Sequence, residues 1–73
     1  MIDLTYDPEA DAVYVLLAHA KVDRTEEAGP FIYDLDAEGR ISGIEILSAS
    51  KVLAPGDWQS AHRPGAKSAD AAE

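Results

Sequence analysis

Ile2, Leu4 and Tyr6 alternate with Asp3 and Thr5, the two-residue period of a strand with one wet face. Asp7-Pro8-Glu9-Ala10-Asp11 interrupts the alternation, with proline fixing one φ angle and the acids supplying acceptors for turn amides. Ala12-Val13-Tyr14-Val15-Leu16-Leu17-Ala18 is then apolar at both parities and rich in β-favouring side chains, which predicts a strand covered on both faces. One cover is the domain's own core. The other has to come from the C-terminal segment or from a second subunit.

His19 to Pro30 is polar, and within it Val22 to Glu26 predicts an edge strand whose charges oppose edge-to-edge pairing. Phe31 to Leu35 reads as a strand, Asp36-Ala37-Glu38-Gly39 as a turn, and Ile41 to Leu47 as the returning strand. Gly39 suits the left-handed position that closes such a hairpin loop. Ile41 falls on one parity of the returning strand, and Ile44 and Ile46 on the other. A bulge at Ser42-Gly43 would put all three on one face. Ser48 to Leu53 predicts a short helical turn with Ser48 as N-cap, stopped by Pro55-Gly56. Trp58 is positioned to fold back onto the sheet as a last apolar anchor. These elements make an α+β, mainly β fold: an antiparallel meander of four to five short strands with a short C-terminal helical turn. Residues 1–58 form the expected compact domain, and the Ala/Ser-rich residues 59–73, which lack an apolar pattern, the expected disordered tail.

Length and composition narrow how such a sheet is stabilised. A chain of 73 residues holds one domain and buries only about 60% of its unfolded surface. There is no cysteine, so disulfides and thiolate-ligated metals are excluded. A well-made core, an oxygen-ligated ion or oligomerisation remains. The N-terminus lacks the basic-then-apolar order of a secretory signal, and the apolar run Ala12–Ala18 is far short of the roughly 20 residues of a membrane span. A cytoplasmic protein without membrane association is expected.

The net charge of −8 is uneven. Residues 1–47 carry 11 Asp/Glu against 3 Lys/Arg, whereas residues 48–73 carry 3 of each sign. An acidic folded region repels phosphate backbones and anionic lipids, which argues against direct nucleic-acid binding and in favour of a basic protein partner.

Two separated stretches carry a resemblance. Tyr6-Asp7-Pro8-Glu9-Ala10-Asp11-Ala12-Val13-Tyr14-Val15 resembles the opening signature of the bacterial and archaeal family known as domain of unknown function 2283. Asp34-Leu35-Asp36-Ala37-Glu38-Gly39-Arg40-Ile41, then Gly43-Ile44-Glu45-Ile46-Leu47 and Ala49-Ser50-Lys51, resemble its second half. The resemblance implies a compact α+β domain with no established activity, an association of some members with toxin–antitoxin gene pairs, and a structural role for Asp11 at a fixed offset before the strand.

Candidate chemistry lies in the carboxylates and aromatics. Asp34, Asp36, Glu38, Gly39, Ile41 and Glu45 fall at positions 1, 3, 5, 6, 8 and 12 of a calcium-loop pattern. A true loop follows a helix, yet Gly29-Pro30 lies just upstream and Phe31-Ile32-Tyr33 favours a strand. Turn chemistry and strand alternation account for the same residues, so no metal and no cofactor is expected, with Asp34, Asp36, Glu38 and Glu45 the candidate ligands. Asp7, Glu9 and Asp11 could hold a divalent ion or act as acid and base, but turn capping explains them, with Asp7 accepting from the amides after Pro8. His19 and His62 have no spacing that forces a metal pair or a triad. Tyr14 and Leu16 fall on the face opposite Tyr6. With Tyr33 and Trp58 they are the candidate interaction surface, unless the C-terminal turn and Trp58 cover that face internally. The expected function is a non-enzymatic protein-interaction module that forms a homodimer and offers its acidic surface to a basic partner. Alternatives are an antitoxin-like partner of a small basic toxin and a divalent-metal protein or metal-dependent enzyme using the carboxylates at 34–45 or 7–11.

Overall fold

A computed structural model describes residues 2–64. Strands β1 (Asp3–Asp7), β2 (Ala12–Leu16), β3 (Arg24–Ala28), β4 (Phe31–Leu35) and β5 (Ile41–Ile46) form one antiparallel sheet in the order β1-β2-β5-β4-β3. A four-residue helix, α1 (Ala49–Val52), and a 3-10 turn, Asp57–Ser60, follow. The mainly β, α+β architecture expected from the pattern is the one the chain adopts. β3, β4 and β5 are consecutive hairpin neighbours, while residues 17–23 carry the chain from β2 to the far edge. β5 then returns between β4 and β2, so the isoleucine-rich strand is central and the most charged strand, β3, lies at an edge in water.

β3 starts two residues later than the pattern placed it. Gly29, at φ 62°, and Pro30 make a two-residue connection that aligns Ala28 with Phe31, and this alignment sets the register back to Arg24 opposite Leu35. Val22 is left exposed before the strand. The tight turn, not the side-chain alternation, decides the bounds.

The bulge is real. Asp34 aligns with Gly43 and Leu35 with Ile41, which leaves Ser42 as the extra residue. Ser42 is buried, its hydroxyl donates to the Asp34 carbonyl at 3.4 Å, and its own carbonyl accepts from the amides of Leu17 and Ala18. The inserted residue also restores parity, so that Ile41, Ile44 and Ile46 share a face. At the end of the β4–β5 hairpin, Gly39 takes the left-handed conformation at φ 80°.

Ser48 occupies the N-cap position of α1, but it sits at φ 53° and its side chain makes no capping bond. Asp11 caps the helix instead, from the β1–β2 turn. Its carboxylate accepts from the Ser50 amide at 3.1 and 3.2 Å and from the Ser50 hydroxyl at 2.7 Å, and its carbonyl accepts from the Ala49 amide at 2.8 Å. A helix of one turn cannot satisfy its own amides, so a carboxylate brought in by tertiary structure replaces the local cap.

Trp58 folds back as expected and meets Tyr6 edge-on, ring centroids 4.9 Å apart at 86°. Backbone hydrogen bonding continues past it. Residues 59 and 60 complete the 3-10 turn, and His62 forms a parallel bridge to Thr5, its carbonyl accepting from the Tyr6 amide at 2.9 Å. The cause is a backbone demand that side-chain pattern does not reveal: the outer edge of β1 has unpaired amides, and residues 61–62 satisfy one of them. The rest of the expected tail, residues 65–73, lies outside the described residues.

Candidate functional site

Strand register sorts the side chains into two unlike faces. On the first, one cross-strand row reads Tyr6, Val13, Ile46, Phe31, Ala28 and the next reads Leu4, Val15, Ile44, Tyr33, Glu26. A third, shorter row holds Ile41, Leu35 and Arg24. Trp58 and the Asp11–Ser50 link bring the C-terminal segment to the Tyr6 end of this face. Burial is deepest there, where Val13 is 1% exposed and is the one large side chain among the described residues to be fully buried, and Leu35 in the third row is buried at 6%. Leu4, Val15, Ile44, Phe31 and Tyr33 are half-buried, and Ile41 is 45% exposed. The strand charges on this face are Arg24 and Glu26, which balance.

The second face carries Thr5, Tyr14, Glu45, Ile32 and Glu27 in one row, and Asp3, Leu16, Gly43, Asp34 and Thr25 in the next. With Asp7 this makes five carboxylates and no Lys or Arg on the strands. Tyr14 reaches across Gly43 and donates its hydroxyl to Asp34 at 2.6 Å. A Cβ at position 43 would fall on that hydroxyl, so glycine is what permits the crossing. Burial, the bond to Asp34 and the negative charges of Asp34 and Glu45 push the Tyr14 phenol up to about 12.

The candidate residues separate accordingly. Tyr14 and Leu16 lie on the acidic face, whereas Tyr33 and Trp58 belong to the apolar one, so the four do not make a single surface. Trp58 therefore does not cover Tyr14, and Tyr14, Leu16, Ile32, Asp34 and Glu45 are half-buried on the acidic face. Of the calcium-loop candidates, Asp34 and Glu45 lie on that face, one on β4 and the other on β5. Asp36 and Glu38 lie in the turn beyond both strands. Asp36 accepts from the Glu38 and Arg40 amides at 3.0 and 2.8 Å and pairs with the Arg40 guanidinium at 2.9 Å. The Arg40 amide first, and its guanidinium after it, hold the Asp36 carboxyl below its usual range against the opposing effect of burial. Glu38 also bonds Arg40, at 3.0 Å.

The other carboxylate group is a scaffold too. Asp7 accepts from the Glu9 and Ala10 amides, as the turn pattern required. Asp11 adds the Tyr6 hydroxyl at 2.9 Å to its bonds with Ser50. Its carboxyl is held below its ordinary value chiefly by the Ser50 hydroxyl, with Tyr6, the Ser50 amide and Lys51 assisting. Glu9 is exposed and, with Asp7 and Pro8, faces Arg63 and Pro64 across an open groove. His62 lies 3.2 Å from Asp3, and His19 is exposed in the β2–β3 connection. Among the described residues no three His, Cys, Asp or Glu side chains are placed to share a cation. Nor is any described helix long and apolar enough to cross a membrane.

What sequence reasoning missed here is the pairing of residues from separate candidate sets. Asp11 with Ser50, and Tyr14 with Asp34, are contacts between segments 39 and 20 residues apart. The one local signal was Gly43, a strand-interior glycine that marks both a bulge and a close approach.

No curated protein and no solved structure matches the chain. The family model described as Protein of unknown function (DUF2283) matches residues 3–50, from the start of β1 to the second residue of α1, and the chain belongs to that family.

Proposed function

We propose that this protein is a non-enzymatic protein-interaction module that acts in the cytoplasm and presents its acidic sheet face to a basic protein. The observation that supports this reading is the sorting of charge: five carboxylates and no Lys or Arg on the strands of one face, against a balanced pair on the other. Such a field accelerates encounter with a basic surface and repels nucleic acid and anionic lipid. Tyr14, Leu16 and Ile32 lie among the carboxylates and supply the apolar contact area that charge alone lacks. A small basic toxin is one form such a partner takes, in line with the gene-pair association of similar domains. The metal reading has less to support it, because Asp36 and Asp11 already spend their oxygens on turn and helix amides.

The test is capture from the source cell on the immobilised full chain, followed by the same capture with two charge-matched variants. Glu27→Lys/Glu45→Lys reverses charge on the face, at its β3 edge and on its central strand β5, while Glu9→Lys/Glu38→Lys makes the same change in the turns. A basic protein retained by the wild type and the turn variant but lost from the face variant is the expected result. Equal loss from both variants, or no basic protein retained by the wild type, rejects the reading.

A further inference from the structure

The apolar face is incomplete as a core. Below the end covered by Trp58, the row Leu4, Val15, Ile44, Tyr33 is only half-buried, and Ile41 beside it is 45% exposed. Among the described residues the buried apolar set is Ala12, Val13, Leu35 and Ala49, two of them alanines. The Cα atoms span 32 × 31 × 17 Å with a radius of gyration of 12.7 Å, larger than the about 11 Å of a compact chain of this length. The molecule is a single layer, and a sheet stabilises a fold by packing its apolar side against something.

We infer that the partner on this face is a second copy of the chain, packed sheet to sheet about a two-fold axis. Residues 65–73 do not suit the role, because alanine is their only apolar residue type. Charge selects the face. In a protein of net charge −8, two copies meeting through the acidic side would oppose like charges across the contact, whereas the apolar side carries only Arg24 and Glu26 on its strands. A two-fold axis lets Arg24 of each copy face Glu26 of the other, the self-complementary pattern of an isologous interface. The edges are poor alternatives: the His62 bridge occupies the β1 edge at Thr5, and β3 presents mostly charged residues that are exposed along its whole length. Size is sufficient as well. A standard interface takes about 800 Å² from each partner, and the broad side, 32 × 31 Å across its Cα atoms, offers that when sheets stack about 10 Å apart.

This inference rests on reading the protein as an interaction module but uses the opposite face from the basic partner, so the two fail separately. Sedimentation equilibrium of the full chain up to about 300 µM, a range that detects even weak dimers, is the experiment. Wild type should sediment as a dimer. Tyr33→Glu at the centre and Ile41→Glu at the rim should each weaken the dimer about ten-fold or more, since an unpaired charge is desolvated on association. Glu45→Lys, on the acidic face, should leave the dimer constant unchanged. Ile41 is already well exposed, so its variant should keep the far-UV circular dichroism of the sheet even if Tyr33→Glu does not fold. A monomeric wild type at the highest concentration, or a folded Ile41→Glu chain that dimerises as wild type does, overturns the inference.

Discussion

At the scale of single residues, two polar side chains, Asp11 and Tyr14, each hold distant parts of the chain together. Tyr14 spans the central strand to reach Asp34, and Gly43 beneath it has no room for a methyl group. Gly43→Ala should therefore cost about 1–3 kcal/mol, the usual range for inserting an atom into packed structure, as read by urea denaturation. In a Tyr14→Ala background the same change should cost little, and equal costs in both backgrounds would refute the contact. The phenol itself supplies a second check. Its value is raised in the folded state from the ordinary 10.0 to about 12, so folding holds the proton more tightly than the unfolded chain does. Its contribution is complete below pH 10 and declines from there to about 12, as the unfolded chain ionises first. Ultraviolet titration should show a phenol ionising near pH 12 that Tyr14→Phe removes, and a Tyr14 phenol that titrates in the ordinary range would contradict the geometry.

At the scale of elements, turns and caps decide what side-chain alternation leaves open. Gly39→Ala should destabilise the β4–β5 hairpin by about 1–2 kcal/mol, the cost of a side chain in the left-handed region, because Gly39 sits at φ 80°. Asp11 ties the β1–β2 turn to α1, and its carboxyl is held below the ordinary value mainly by the Ser50 hydroxyl. A depressed carboxyl stabilises the fold above its unfolded value of 3.8 and ceases to do so as pH falls through the lower folded value. Asp11→Asn should lower the denaturation midpoint at neutral pH and flatten the acid limb of stability, a difference absent if Asp11 does not cap α1. The strands were legible because Ile2 to Tyr6 and Phe31 to Leu35 keep a two-residue period, and the bulge showed itself as a parity break between Ile41 and the pair Ile44 and Ile46. The start of β3, the cap of α1 and the order of residues 59–62 were not legible. The first is set by the register of the Gly29-Pro30 turn, the second by the Asp11 carboxylate from the β1–β2 turn, and the third by a backbone hydrogen bond to the edge of β1, none of which side-chain alternation encodes.

At the scale of the whole molecule, one layer of sheet has to meet two different surroundings. The acidic side carries five carboxylates and no Lys or Arg on its strands. The apolar side is only partly covered by the Trp58 segment, and the run Ala12–Leu16, apolar at both parities, sits across both sides. That run read from the sequence as a strand needing two covers, and the sheet supplies one of them only at the Tyr6 end. A chain whose described residues include Val13 as their one fully buried large side chain has little stability to spare when alone. Association and folding are then linked, because a copy bound to the native state and not to the unfolded chain stabilises the former by mass action. Thermal unfolding across a hundred-fold range of protein concentration, followed by circular dichroism, reads this linkage directly. The account predicts a midpoint that climbs steadily with concentration in the wild type and not in Ile41→Glu. A midpoint that stays constant across the range would show that the single layer stands unaided, against the account.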